Sequence, residues 1–103
     1  MIVNDTYSLE LRSFGTVATG ETVGLMGRVE HDFLPQRLDM GRKHGQRKWQ
    51  FVSLFIGDVE VRSEVEVEDA GKVRVGTMVS MVVKNVSPAR ERASIFLIGT
   101  VDE

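Results

Sequence analysis

The chain has 103 residues, with 13 Lys and Arg against 15 Asp and Glu, a formal charge of −2 and no cysteine. This length suits a single domain, residues 1–103, and the lack of cysteine excludes disulfides and thiolate metal sites. The acidic balance argues against binding of nucleic acid through overall charge, but it leaves room for a local basic element on an acidic body.

The start of the chain and its hydropathy predict a cytoplasmic protein without a membrane partner. Residues 1–5 lack the basic start and the long apolar run of a secretion signal. No stretch approaches the roughly 18 apolar residues of a membrane helix.

Alternation of apolar and polar residues recurs along the chain and predicts strands, while no long window has helical periodicity. A leading strand is predicted around Tyr7–Leu11. Five main strands are predicted at 22–31, 48–57, 59–68, 77–86 and 93–101. A flat sheet of these strands would expose its edges, so we predict an all-β fold, closed into a small five-stranded Greek-key barrel with an extra amino-terminal strand.

A basic arm precedes the second main strand. Residues 34–47 are predicted as a long loop or hairpin, in which Pro35 ends the preceding pairing. Five Lys and Arg fall within this arm and its junction with the strand, opposed only by Asp39: Arg37, Arg42, Lys43, Arg47 and Lys48. The strand that follows has mostly aromatic odd positions, beginning with Trp49 and Phe51, and aliphatic even positions, which makes both of its faces apolar.

Two interpretations of the arm and its strand remain open. In one, the cations neutralise phosphates and Trp49 and Phe51 stack on bases, a contact worth about 1–3 kcal/mol per base. In the other, the arm is a solvated loop and both aromatic side chains lie in the core. Tyr7 and Phe14 are predicted to pack the first strand rather than to extend a stacking surface.

No catalytic arrangement is evident, so we expect a protein that is not an enzyme and has no cofactor or small-molecule substrate. His31 and Asp32 are too few to form a metal site and are interpreted as a strand end. The sequence has no phosphate-binding GxxxxGK[ST] loop and no nucleophile motif.

The order of strands resembles that of an oligonucleotide/oligosaccharide-binding (OB) fold over about residues 22–103. The stretches that carry the resemblance are Gly27–Val29, Trp49–Gly57, Val75–Val79 and Phe96–Val101.

Within this fold, the arm resembles the DNA-gripping hairpin of bacterial single-stranded DNA-binding proteins, small phage helix-destabilising proteins and the primosomal replication-restart protein. The resemblance implies nucleic-acid contacts from the arm and the second strand, at Arg42, Lys43, Arg47, Lys48, Trp49 and Phe51. It also implies contacts from the loop between the last two strands, at Arg90 and Arg92.

We therefore expect binding of single-stranded DNA, or RNA, without sequence specificity, in replication or strand protection in a phage or plasmid system. Apolar faces at Val79–Val83 and Phe96–Ile98 predict a homodimer or higher oligomer. The alternative is a β-barrel interaction or assembly module whose arm docks a protein partner. The acidic row from Glu60 to Asp69 favours that alternative.

Overall fold

The structure is a computed structural model that describes residues 5–43 and 45–101, without the side chains of Arg42 and Lys43. That part of the chain is mostly β, and its main sheet is antiparallel and strongly curled into a half-barrel. The strands are β1 (Thr6–Val17), β2 (Thr22–Arg28), β3 (Phe33–Asp39), β4 (Arg42–Lys43), β5 (Gln46–Arg47), β6 (Trp49–Ile56), β7 (Val59–Val61), β8 (Met78–Asn85) and β9 (Glu91–Val101).

The main sheet has the order β3-β9-β1-β2-β8-β6-β7, and β4 pairs with β5 in a separate hairpin. The leading strand is therefore not an appendage. It is a 12-residue strand in the interior of the sheet, hydrogen-bonded to β9 on one side and β2 on the other. The predicted fourth strand, β8, lies between the predicted first and second strands, β2 and β6.

The prediction of a strand over 59–68 is wrong beyond its first residues. Strand β7 ends at Val61, and a 3-10 helix follows at Glu64–Ala70. A 3-10 helix brings every third residue to one side, which explains why Val67 is fully buried while Val65 is 84% exposed. The alternating valines resembled a strand, but the burial of this segment follows the three-residue period.

The 3-10 helix covers the gap that the curled sheet leaves open. It packs against β3 and β7, which are the two edge strands of that sheet. Just after the helix, Val73 exchanges two backbone hydrogen bonds with Phe33 of β3, with N–O distances of 2.8 and 2.9 Å. Both open edges are thus partly protected, as small β proteins require. No helix among the described residues is long and apolar enough to cross a membrane.

The core lies inside the curl and takes its side chains from most of the strands. Its largest fully buried members are Trp49, Phe33, Leu11, Leu25, Leu54, Met81, Ile95 and Leu97. Val79, Met81 and Val83 belong to this core, so the prediction that they form an apolar face for a second copy is wrong. Inward alternation along β8 accounts for their position.

Gly99 allows β3 to cross β9 closely. A Cβ added at Gly99 would fall on the carbonyl oxygen of Leu34, so a larger residue would force the two backbones apart. The register between the strands shifts at this crossing, between Pro35 and Arg37. The close approach fixes β3, and therefore the start of the arm, against the sheet.

Candidate functional site

The first half of the predicted arm is not a loop. Residues 33–39 form β3, paired with β9, and Pro35 lies within that strand instead of ending it. Pro is tolerated because β3 is an edge strand. The arm proper is the short β4–β5 hairpin with its flanking residues, and Arg37 is an exposed residue of β3 near its base.

Two arm cations are engaged within the protein. The Arg47 Nη2 atom lies 2.6 Å from Oε1 of Glu64, the first residue of the 3-10 helix. The Lys48 Nζ atom lies 3.9 Å from Oε2 of Glu91, the first residue of β9. The backbones of Arg42 and Lys43 form β4, while their side chains, like all of His44, lie outside the described residues.

Trp49 lies in the core, so the prediction that it stacks on a base is wrong. Its side chain is 2% exposed, and Phe51 is half-buried against the same core. The register of β6 against β8 shifts between Phe51 and Ser53. This bulge changes the phase of the strand, so Trp49 before it and Leu54 after it both point inward.

Asn85 fixes the loop at 86–90, a role that the sequence analysis missed. Its buried Nδ2 donates to the carbonyl oxygens of Val17, at 2.7 Å, and Ala89, at 3.0 Å. Its Oδ1 accepts a hydrogen bond from the Ser87 N–H at 2.8 Å. The sequence did contain a signal for this role, because Asn85 is a polar residue at the next inward-pointing position after Val83 in β8. These bonds attach the loop to the end of β1.

The arm and the 86–90 loop meet at one end of the half-barrel. A cavity of about 340 Å³ lies between them, bounded by residues 46–48 on one side and by residues 87–89 and Glu91 on the other. Arg90 extends from this loop toward β1, where its Nη1 donates to Thr16 Oγ1 at 3.4 Å. The structure thus places Arg47 and Lys48 beside the loop that ends in Arg90, although the two segments are far apart in sequence.

A groove lies on the outer face of the sheet, beside the β1–β9 pairing that Arg90 contacts. Its volume is about 620 Å³, and its lining residues are Arg12, Ser13, Phe14, Gly24, Met26 and Arg92. Arg92 lies in β9 rather than in the preceding loop, and its register partner is Thr16, the residue that Arg90 contacts. Arg90 and Arg92 are both exposed.

Phe14 is fully exposed, at 108%, so the prediction that it packs the first strand is wrong. The β1–β9 register shifts between Arg12 and Thr16. The Ser13 hydroxyl holds the irregular segment, because it accepts the Ala93 N–H at 3.1 Å and donates to the Gly15 carbonyl at 2.6 Å. The signal for an outward Phe14 was its even position, since the odd positions Leu9 to Ser13 point inward.

Tyr7 packs as predicted. Its ring meets His31 and Phe33 edge-on, with centroid distances of 5.4 and 4.9 Å. Asp32 Oδ1 accepts the Val75 N–H at 2.7 Å, which ties the residue directly before β3 to the turn before β8. Among the described residues, no group of three or more His, Asp or Glu is arranged to hold a metal ion.

Comparison with known proteins does not assign a function. No family model, curated protein or solved structure matches the chain significantly.

Proposed function

We propose that the protein binds single-stranded DNA, or RNA, with little sequence preference. The observation that carries this proposal is the meeting of the arm and the 86–90 loop around one cavity, with Arg90 leading on to Arg92. Cations along such a path can neutralise successive phosphates on a protein whose net charge is acidic. The path runs from Arg47 and Lys48, over the loop, to Arg92.

The ion pairs of the arm are compatible with this role. Arg47 and Lys48 are partly exposed, and ion pairs of that kind contribute only about 0–1 kcal/mol. A phosphate can therefore compete with Glu64 or Glu91 for the same cation. Arg90 donates to the neutral hydroxyl of Thr16, so no carboxylate is displaced when it turns to a phosphate.

The proposed role is the coating or protection of single strands in replication, in a phage or plasmid system, by a homodimer or higher oligomer. Contacts to phosphates position a strand without reading its sequence, which supports a general role rather than recognition of one site.

Assignment of the half-barrel to the OB fold is part of the proposal. The antiparallel β6–β7 hairpin and the longer connection from β7 to β8 support it. The interior position of β1, and the position of β8 between β2 and β6, are features that such an assignment has to accommodate. The proposed binding does not depend on it, because it rests on residues that lie together.

The test is the fluorescence anisotropy of a labelled oligo-dT titrated with the protein at low salt and then with NaCl. We expect salt-reversible binding, with a log–log slope of about −0.7 per neutralised phosphate. Arg90→Ala should weaken binding and reduce the magnitude of the slope by about that amount. Arg62→Ala is the matched control, because Arg62 is an exposed arginine beside β7, at the other edge of the sheet.

Two results would count against the proposal. Absence of binding at micromolar protein would favour the interaction module, whose arm docks a protein. Equal losses of oligo-dT affinity in Arg90→Ala and Arg62→Ala would show that positive charge in general, and not the position of Arg90 on the proposed path, attracts the nucleic acid.

A further inference from the structure

We propose that the outer groove around Phe14 is a stacking site for one unpaired base of the bound strand. This inference rests on the proposed function and adds to it a means of selecting single strands over duplexes. In a duplex each base face is covered by its neighbours, whereas an unpaired base can leave its stack and lie on an aromatic ring.

The exposure of Phe14 is the first observation. Single exposed apolar residues are common, so exposure alone does not identify a site. Here, however, the backbone is fixed beside the ring, because Ser13 bonds to both Ala93 and Gly15. The ring is thus held outward on a defined strand segment instead of lying on a free loop.

The shape of the groove is the second observation. Gly24 is a lining residue, and no atom lies within 4 Å of the Cβ position that a side chain there would occupy. The space beside Phe14 is therefore open. The groove volume of about 620 Å³ lies within the range of small-ligand sites, which span roughly 300–1,000 Å³.

Charge indicates which ligand fits. Arg12 and Arg92 line the same groove as Phe14, and both are exposed. Glu10 is the neighbouring acid, but its Oε2 accepts the Ser94 hydroxyl at 2.7 Å, and its Oε1 lies 3.9 Å from the Arg12 Nη1 atom. An aromatic ring flanked by two guanidinium groups complements a base with phosphates on both sides, which is the chemistry of a nucleic-acid strand.

The position of the groove links it to the proposed path. Arg92 belongs to both, because it lines the groove and its register partner Thr16 accepts the hydrogen bond from Arg90. A nucleic-acid strand whose phosphates contact Arg90 and Arg92 therefore passes beside Phe14.

The test compares Phe14→Ala and Phe14→Tyr with the natural protein in the oligo-dT titration. Phe14→Ala should lower the affinity roughly 10- to 100-fold, the effect of losing one base–aromatic stack, while Phe14→Tyr should bind normally. The salt slope should not change, because Phe14 carries no charge. Val65→Ala is the control, since Val65 is an exposed apolar residue of the 3-10 helix.

A second variant gives a direct signal. The indole introduced by Phe14→Trp should be quenched by oligo-dT and left unchanged by the corresponding duplex at equal concentration.

The outcomes separate the two proposals. If the natural protein and Phe14→Ala bind oligo-dT equally well, the proposal of a stacking site is wrong. The proposed function is then decided separately, by the effect of Arg90→Ala on binding. If the natural protein binds no oligonucleotide, both proposals fail. If Phe14→Ala changes only the sedimentation of the protein, the groove is a protein contact and the stacking site is again wrong.

Discussion

Trp49 is the residue whose removal should cost the most stability. Its side chain is 2% exposed where β6 begins, beside Asn85 of β8. We expect Trp49→Ala to lower the free energy of unfolding by about 3–5 kcal/mol, as for other large aromatic residues removed from a core. Urea denaturation followed by circular dichroism measures this loss. Phe14→Ala, which removes an exposed ring, should stay within about 0.5 kcal/mol of the natural protein.

The same burial predicts that Trp49 emission barely changes when oligo-dT binds. A stable Trp49→Ala protein with lost affinity would contradict the assignment of this side chain to the core.

Trp49 and Phe14 also show what a single sequence can reveal about side-chain direction. The outward direction of Phe14 follows from simple alternation with Leu9 and Leu11, and was within reach of the sequence. The inward direction of Trp49 depends on a bulge between Phe51 and Ser53, where the pairing with β8 slips. A bulge is set by the partner strand, so the sequence of β6 alone does not reveal it.

The 3-10 helix Glu64–Ala70 offers a test of how the half-barrel is closed. Val67 is fully buried between the two edge strands, while Val65, two residues earlier, is 84% exposed. We expect Val67→Ala to cost about 1–3 kcal/mol through lost burial and a residual cavity. Val65→Ala should cost less than about 0.5 kcal/mol. The urea midpoints of the two variants measure the difference.

Similar losses of stability at the two positions would contradict burial on a three-residue period and would favour the strand that alternation predicted.

The wrong prediction of a strand over 59–68 has a physical cause. Val61, Val65 and Val67 fit alternation as well as a helix of this short length, and short helices are held by tertiary packing instead of by their own propensity.

The positions of most strands along the chain could be predicted from the sequence. The strands with which each one pairs in the sheet could not. The predicted strands at 22–31, 48–57, 77–86 and 93–101 correspond to β2, β6, β8 and β9 within a few residues. Their order depends on hydrogen bonds between distant segments, so the interior position of β1 and the strand β3 within the arm were missed. Residues brought together by that order, such as Arg92 and Phe14, were missed as a pair for the same reason.

Self-association is predicted from apolar side chains that remain exposed on the sheet. The residues that suggested it at Val79–Val83 are buried, but Val52, Phe55 and Met78 are exposed apolar residues of β6 and β8. Phe55 lies opposite Ser80 of β8, on the outer face of the sheet. We expect a homodimer in sedimentation velocity at micromolar protein, because a second copy would remove these side chains from water.

Replacement of one exposed ring tests whether that face forms the contact. Phe55→Ser should weaken dimerisation about tenfold or more, because loss of about 1.4 kcal/mol of apolar burial corresponds to a factor of ten. Val65→Ser removes an apolar side chain that is more exposed, on the 3-10 helix instead of the sheet, and should leave the dimer unchanged. A natural protein that sediments only as a monomer would exclude the dimer. A two-fold interface through β6 and β8 would lose the Phe55 ring from both copies at once. If Phe55→Ser leaves dimerisation unchanged, the two copies therefore contact each other through another surface.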